Sequence, residues 1–462
     1  LPSDAPLAIN LATALRLADA RPLVIRAAEA TVISEIGRLQ RAKSLWLPTI
    51  TTGFAYTHHD GGIQSTTTAV FARNSRNEIL LGAGGRVSFA FSEAIYAPLV
   101  AQQIVAARQL DVQSARNDAL LEVAEAYFQV QEARGRVSGL QDIIEKARLL
   151  VDRIDKLAAG LAPSIESERA RTTLAEFELA LADARREWRQ SSARLNQVLR
   201  LNPSAVVEPL EPPQLQVTLI AATQSVDDLI PIALTSRPEL GSHQAIVQAT
   251  LAAMKRERMR PLIPSLLLEG VAVPGLGLAG GLYAAGVGGS INHIAARGDL
   301  NLQLVWEFEN LGYGNRGRQT VARGDRMRAI IELFRVQDLV AAEVTRAHAD
   351  MEATATQISK AEAAFVAATR LFDGNFKGLG ETVRLGETLQ LVSRPQEVVS
   401  AIQQLERSYT RYFAAVNGYN RAQFRLYRSM GYPSQGLACG DAFGTQVPID
   451  TSRPAGMPQI PQ

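Results

Sequence analysis

From Asn301 to Phe308 the chain alternates, with Leu302, Leu304, Trp306 and Phe308 on one side and Asn301, Gln303, Val305 and Glu307 on the other. Period 2 is the mark of a strand with one apolar and one mostly polar face. A second strand is read over 48–57, with Ile50, Phe54 and Tyr56 opposed to Thr49, Thr51 and Thr57. Strands over 86–92, with Val87, Phe89 and Phe91 facing out, and over 264–273 complete the set. After Phe308 some sixty residues turn helical, with Gly312, Gly314 and Gly317 where the backbone must bend.

The helical stretches carry heptads. Leu174, Phe177, Leu181, Ala184, Trp188, Ser191, Leu195 and Val198 step by three and four, as do Val344 to Phe372 and Val398 to Tyr419. Such spacing buries a narrow seam against a neighbouring helix, the coiled-coil arrangement. Helices are expected at 7–19, 21–46, 93–157, 165–200, 238–262, 312–372 and 396–431. Arg21-Pro22 recurs as Arg237-Pro238, Leu47-Pro48 as Ile263-Pro264, and RVSFAFSEAIY as NLQLVWEFENL, at offsets of 215 to 216. The chain therefore reads as a duplicated helix–strand–strand–helix–helix unit: 1–202, a Pro-rich linker at 203–224, 225–431, and a tail at 432–462. In each half two short helices sum to about the length of the long one, so the pair would run beside it for roughly 90–100 Å.

Composition narrows the chemistry. Lys and Arg number 48 against 46 Asp and Glu, a net +2 with no nucleic-acid footprint. One cysteine, Cys439, excludes an intrachain disulfide and a cysteine-rich metal site. Adjacent His58 and His59 would point to opposite strand faces, so no metal is expected there. GLGLAGG (275–281) lacks the Lys-Ser/Thr of a phosphate loop and reads as a mobile external loop. No catalytic residue, cofactor or enzymatic activity is expected. Gly270–Ala296 is free of Asp, Glu, Lys and Arg, but its glycines and Pro274 suit a hairpin better than a transmembrane helix.

Four strands of this length can cross a bilayer when tilted, yet they are too few to close a barrel. An open sheet in lipid would leave its edge N–H and C=O groups without partners. Several chains must therefore share one barrel, with Phe54, Tyr56, Phe89, Phe91, Leu302, Leu304 and Trp306 facing lipid. The fold class is mainly α with membrane β-strands. The alternative is a non-membrane coiled-coil scaffold or adaptor whose short strands pair in water.

The strand-to-helix segments VSFAFSEAIY and LQLVWEFENLGYGNRGR, the break AGLAPSIESERA (159–170) and the closing helix SYTRYFAAVNGYNRAQFRLYRSMGYP (408–433) carry a further signal. Over roughly residues 7–433 the chain resembles the TolC family of outer-membrane factors, the exit ducts of tripartite efflux pumps and type I secretion systems. The resemblance implies a homotrimer in the outer membrane, with four strands per chain in one barrel over a helical periplasmic tunnel. It also implies a periplasmic adaptor (membrane fusion protein) as partner and, through it, an inner-membrane pump.

The resemblance carries the adaptor-docking glycine-leucine pair onto Gly160 and Leu161. It carries the first acid of the periplasmic gate onto Glu397, with Arg394 as its basic neighbour and Glu166 as the equivalent acid of the first tip. Ser400 stands where the family has a second acid, and the insertion GNFKGLGETVRLGETLQ (374–390) makes a gate of a different shape. Glu166 also reads simply as a first-turn helix stabiliser. The chain starts Leu-Pro-Ser, without the cysteine that carries lipid in many family members, so no N-terminal lipid anchor is expected.

Overall fold

The computed structural model describes residues 5–20, 22–47, 49–64, 71–158, 163–271, 281–287, 291–296, 299–385 and 388–432. Strand β1 (Ala5–Ile9) and helices α1 (Leu11–Ala20) and α2 (Leu23–Lys43) precede strands β2 (Thr49–Gln64) and β3 (Phe71–Ala90). Helices α3 (Phe91–Ala158) and α4 (Ser164–Leu199), strand β4 (Ala205–Pro209) and helix α5 (Val226–Ser236) follow. The second half holds α6 (Pro238–Met259), β5 (Ser265–Val271), β6 (Gly281–Val287), β7 (His293–Ala296), β8 (Asp299–Val305) and α7 (Tyr313–Gly378). It ends with β9 (Thr382–Leu385), β10 (Thr388–Leu391) and α8 (Pro395–Ser429).

Several elements differ from the sequence expectation, each for a local reason. Residues 7–19, read as one helix, are β1 followed by α1. Parallel pairing from Ala5↔Ala205 to Ile9↔Pro209 gives this backbone the partners a helix would have found internally. Asn10 Oδ1 then accepts from the Thr13 N–H at 2.9 Å and starts α1. Phe91, read as a strand residue, is the first residue of α3, and the last strand stops at Val305, before Trp306. The insertion at 374–390 becomes the end of α7 and most of a β9–β10 hairpin. Pairing of β6 with β3 continues up the same edge that β5 occupies below, from Gly84↔Val271 to Gly82↔Gly281. The proposed external loop 275–281 lies almost wholly outside the described residues.

The chain divides into two compact units, one of residues 1–29, 110–240 and 336–462, the other of 30–109 and 241–335. The first unit is helical, and its heptad positions form its core. Phe177, Phe365, Phe372, Val398, Ile402, Leu405 and Tyr409 are buried together with Ile143, Leu150 and Ile154 of α3. Along the seam of α3 and α8, Gly135 lies under the Phe413 ring and Gly139 under Tyr409. A Cβ added to Gly135 would sit 2.9 Å from that ring, closer than carbon atoms pack. Arg421 of α8 pairs with Glu132 of α3 at 3.0 Å. The linker is held from α8 by side-chain amides: Asn420 accepts from Val217 N–H (2.8 Å) and donates to Leu215 C=O (2.7 Å). Gln423 accepts from the N–H groups of Leu219 and Ile220.

An ion cluster closes the same unit. Buried Arg237 donates to Glu239 (2.9 Å) and to Glu343, and Arg428 donates to Asp118, Glu239 and Glu343. Burial opposes ionisation of Glu239, but hydrogen bonds and charge from Arg237 outweigh it and bring its pKa down to about 2 from 4.5. A lowered carboxylate pKa stabilises fully above about 4.5, and that contribution is lost as pH falls toward 2. Melting temperature against pH should therefore show a steeper acid limb between about 4.5 and 2 in the wild type than in Glu239→Gln. A flat difference across that window would remove the cluster from the account.

Glycine spacing makes a second prediction. Gly135→Ala should destabilise by about 1–3 kcal/mol, because Phe413 is itself buried and has nowhere to move. Gly324→Ala, where nothing lies within 4 Å, should stabilise α7 by about 0.5–1 kcal/mol. Thermal melts of the two variants should move in opposite directions.

Candidate functional site

The second unit holds a sheet whose order, among the described residues, is β7-β6-β3-β5-β8, with β2 on the other edge of β3. Directly opposed residues share a face, so the register sorts the composition. One face collects Phe89, Val87, Leu81 and Ile79 of β3 with Ile50, Phe54 and Tyr56 of β2. Leu266 and Leu268 of β5 and Leu300, Leu302 and Leu304 of β8 complete it, and between the levels of Phe89 and Ile79 it carries no charged residue. The opposite face receives Glu78, Arg86, Glu269, Asp299, Asn301 and Gln303. Phe54, Tyr56, Leu302, Leu304 and Trp306 are exposed in the single chain, whereas Phe89 and Phe91 are half-buried.

Aromatic residues bracket the apolar face. At its base Trp46, Phe89 and Phe91 meet in pairs, each 6.1 Å between ring centroids. At its other end the Tyr56 hydroxyl donates to Asn77 Oδ1 (2.9 Å), and His58 Nδ1 lies 2.7 Å from the same oxygen. Ten residues of β3 separate Phe89 from Ile79, the partner of Tyr56. At about 3.3 Å per residue and a 45° tilt that is roughly 23 Å of height. Beyond it β2 and β3 continue as a polar ribbon.

Sheet passes to helix differently in the two halves. Ala90 runs straight into α3, whereas Asn310 and Leu311 after β8 hold left-handed φ of 47° and 58° before Gly312 at 89°. Asn315 fastens this reversal, accepting from Glu309 N–H (2.9 Å) and donating to Glu307 C=O (3.3 Å). Nothing in the alternation or the heptads signals it. Only the glycines at 312, 314 and 317 do.

In the first unit the ends of α3, α4, α7 and α8 share one hydrophobic cluster. Gly160 and Leu161 lie outside the described residues. Glu397 occupies the third position of α8, and its carboxylate accepts from the Arg394 backbone N–H at 3.1 Å, capping the helix. The partner is thus the main chain of Arg394, not its guanidinium. Glu166 holds the same third position in α4 and accepts from Arg169 at 2.6 Å. No hydrogen bond or ion pair among the described residues joins Glu166 to Glu397 or Arg394. Sequence reasoning missed the seat of the hairpin: Leu379 is fully buried, Ser393 N–H donates to Gly378 C=O at 3.2 Å, and the Arg153 guanidinium covers Gly380 and the Phe376 ring (5.0 Å). Beside it Ser167 and then Arg171 hydrogen-bond Asp155 and hold its carboxyl below the usual range. Among the described residues no group of three His, Cys, Asp or Glu stands ready to hold a metal, and no helix is long and apolar enough to cross a membrane.

Residues 14–199 match the model of the family described as outer membrane efflux protein. The fold is similar to that of the outer-membrane channel OprN, at 17% identity and a TM-score of 0.72 over 92% of this chain and 90% of that one. It is also similar to the outer membrane protein VceC of Vibrio cholerae (14%, 0.72, 91% and 96%) and the CmeC outer membrane channel of Campylobacter jejuni (15%, 0.70, 94% and 89%). No curated protein matches the chain in sequence.

The capping geometry of Glu397 is open to a direct check. Glu397→Ala should raise amide hydrogen exchange in the first turn of α8, a local loss of about 0.5–2 kcal/mol, while Glu397→Gln, which keeps an acceptor, should lose less. Equal protection in all three proteins would mean that the cap contributes nothing.

Proposed function

We propose that the chain, whose residues 14–199 match the outer membrane efflux protein model, is a member of that family, and that three copies close one barrel and form a passive exit duct of a tripartite efflux pump or type I secretion system. The observation that carries this reading is the sheet with one uncharged apolar face and two unpaired edges. No strand among the described residues covers the outer sides of β2 and β8. In lipid those edges need partners, and the neighbour's complementary edges supply them. With four strand tracks per chain, three copies give about twelve strands, within the range of outer-membrane barrels. The height between the aromatic levels fits their apolar band of about 25 Å.

The helices chained to those edges support the same closure. Ile33 and Ile36 on α2 and Val321, Met327, Ile331 and Phe334 on α7 are exposed in the single chain, an apolar surface for neighbouring copies to cover. Transport through such a duct requires no covalent step, and we assign the chain no enzymatic activity. Its proposed partners are a periplasmic adaptor and, through it, an inner-membrane pump, with Gly160 and Leu161 as the adaptor contact and Glu397, Glu166 and Arg394 as gate residues. Three copies of Glu397 would place like charges around one opening and favour cations.

Planar-bilayer recording tests the reading. The detergent-extracted protein should run as a trimer and conduct ions, and a monodisperse monomer that needs no detergent would favour a soluble scaffold. Leu304→Arg should cost about 2–4 kcal/mol of assembly at a mid-membrane position. Gln303→Arg should assemble and change conductance, so the reverse result would put the lumen on the wrong face. Glu397→Gln should weaken cation selectivity. Unchanged selectivity would leave Glu397 as a helix cap only.

A further inference from the structure

The level at which sheet becomes helix is also where positive charge gathers. Ala90, Ser265 and Val305 pair across the base of the sheet, with Thr49 close by on β2. Within about three helical turns of that base, α2 ends in Arg38, Arg41 and Lys43, and α6 and the loop after it carry Lys255, Arg256, Arg258 and Arg260. Helix α7 opens with Arg316 and Arg318, and the only acids in the band are Glu93, Glu257, Glu307 and Glu309. Nine cations against four acids exceed the +2 of the entire chain, so the rest of the protein is net negative.

Part of this charge is used internally. Glu257 pairs with Arg256 (3.0 Å) and Arg260 (3.6 Å), Glu309 with Arg318 (2.7 Å), and Arg38 with Glu35 (2.6 Å). Arg41, Lys43, Lys255 and Arg258 are exposed and make no ion pair with a described residue. Directly beside them stand exposed apolar side chains on the connecting turns: Trp46, Leu47, Leu262, Trp306, Phe308 and Leu311, the last 94% exposed. Aromatic and aliphatic groups at one level, with long cationic side chains at the next, match the boundary between acyl chains and anionic headgroups.

We propose that this band binds anionic phospholipids of the membrane leaflet nearest the helices, an inference that rests on the outer-membrane reading above. The four unpaired cations come from two separate helix ends, those of α2 and α6, which lead into different strands, an arrangement suited to a ligand that surrounds the barrel. A protein partner would need them gathered on one patch. The four unpaired cations supply the attraction, and the apolar turns set the depth at which it acts.

The test uses the intact trimer in nanodiscs of equal parts phosphatidylcholine and phosphatidylglycerol. After release into mild detergent, retained lipids are counted by native mass spectrometry. The wild type should keep phosphatidylglycerol preferentially, and R41Q/K43Q/K255Q/R258Q should lose that preference by at least about tenfold, since each cation near an anionic surface changes binding several-fold. Conductance of the same variant should persist in planar bilayers. No preference in the wild type, or an unchanged preference in the variant, overturns the proposal, whereas absence of conductance in the wild type overturns the channel reading instead. If the quadruple variant fails to assemble, R41Q/K43Q and K255Q/R258Q are measured separately, each with a partial loss expected. R41K/R258K should behave as wild type, and loss of preference there would show that charge is not what binds.

Discussion

An unpaired strand edge cannot remain in hydrocarbon, and this constraint governs the rest of the molecule. A helix satisfies its backbone internally, but β2 and β8 each leave a row of N–H and C=O groups that no described strand pairs. The sheet has a face fit for lipid and still cannot enter lipid alone. In the proposed trimer assembly would be part of folding, and the exposed apolar residues of α2 and α7 would belong to the same requirement. Their exposure in one chain is the counterpart of the open edges.

The helical unit meets a different demand, that of keeping long helices in register. Gly135 and Gly139 bring α3 close enough to α8 for the Phe413 and Tyr409 rings to lie over its backbone. Only the head of the Pro-rich linker, β4, joins a sheet, and beyond Pro209 its prolines lack the donors a ladder needs. Backbone groups of Leu215, Val217, Leu219 and Ile220 are met by Asn420 and Gln423, which are fully buried on α8. Polar side chains in a helical core cost stability unless satisfied, and these are satisfied by one specific placement of the linker. The heptads draw the helices together, and the amides and glycines select the alignment.

Much of this was legible in the sequence because it is periodic. The three-four steps of α4, α7 and α8 each report a face, and burial follows them, while the alternation read over 301–308 reports a strand that is exposed on both faces in the single chain. What escaped depends on partners far along the chain. Strand β1 exists because residues some two hundred positions later lie beside it, and Pro6 and Pro209 give little hint of a ladder. The Arg237 cluster joins residues from four helices, with no local spacing to betray it. Glu397 was visible as an acid at a helix start, but a single letter cannot separate a cap from a gate. In the structure its carboxylate reaches back to the Arg394 main chain, which shows the cap.

The two strand-to-helix junctions show where the halves of the chain part company. In the first, helical φ and ψ begin at Phe91 with no turn between, so Phe89 and Phe91 stack and Trp46 closes over them. In the second, two non-glycine residues adopt a left-handed conformation that costs each of them roughly 1–2 kcal/mol. The two hydrogen bonds of Asn315 offset part of that cost. The reversal turns Leu311 outward and opens α7 so that Arg316 and Arg318 fall in the basic band. A junction built only to join strand to helix would not need this strain, since the first does without it. The second retains it where apolar and cationic groups sit side by side, the pairing proposed above to meet lipid headgroups.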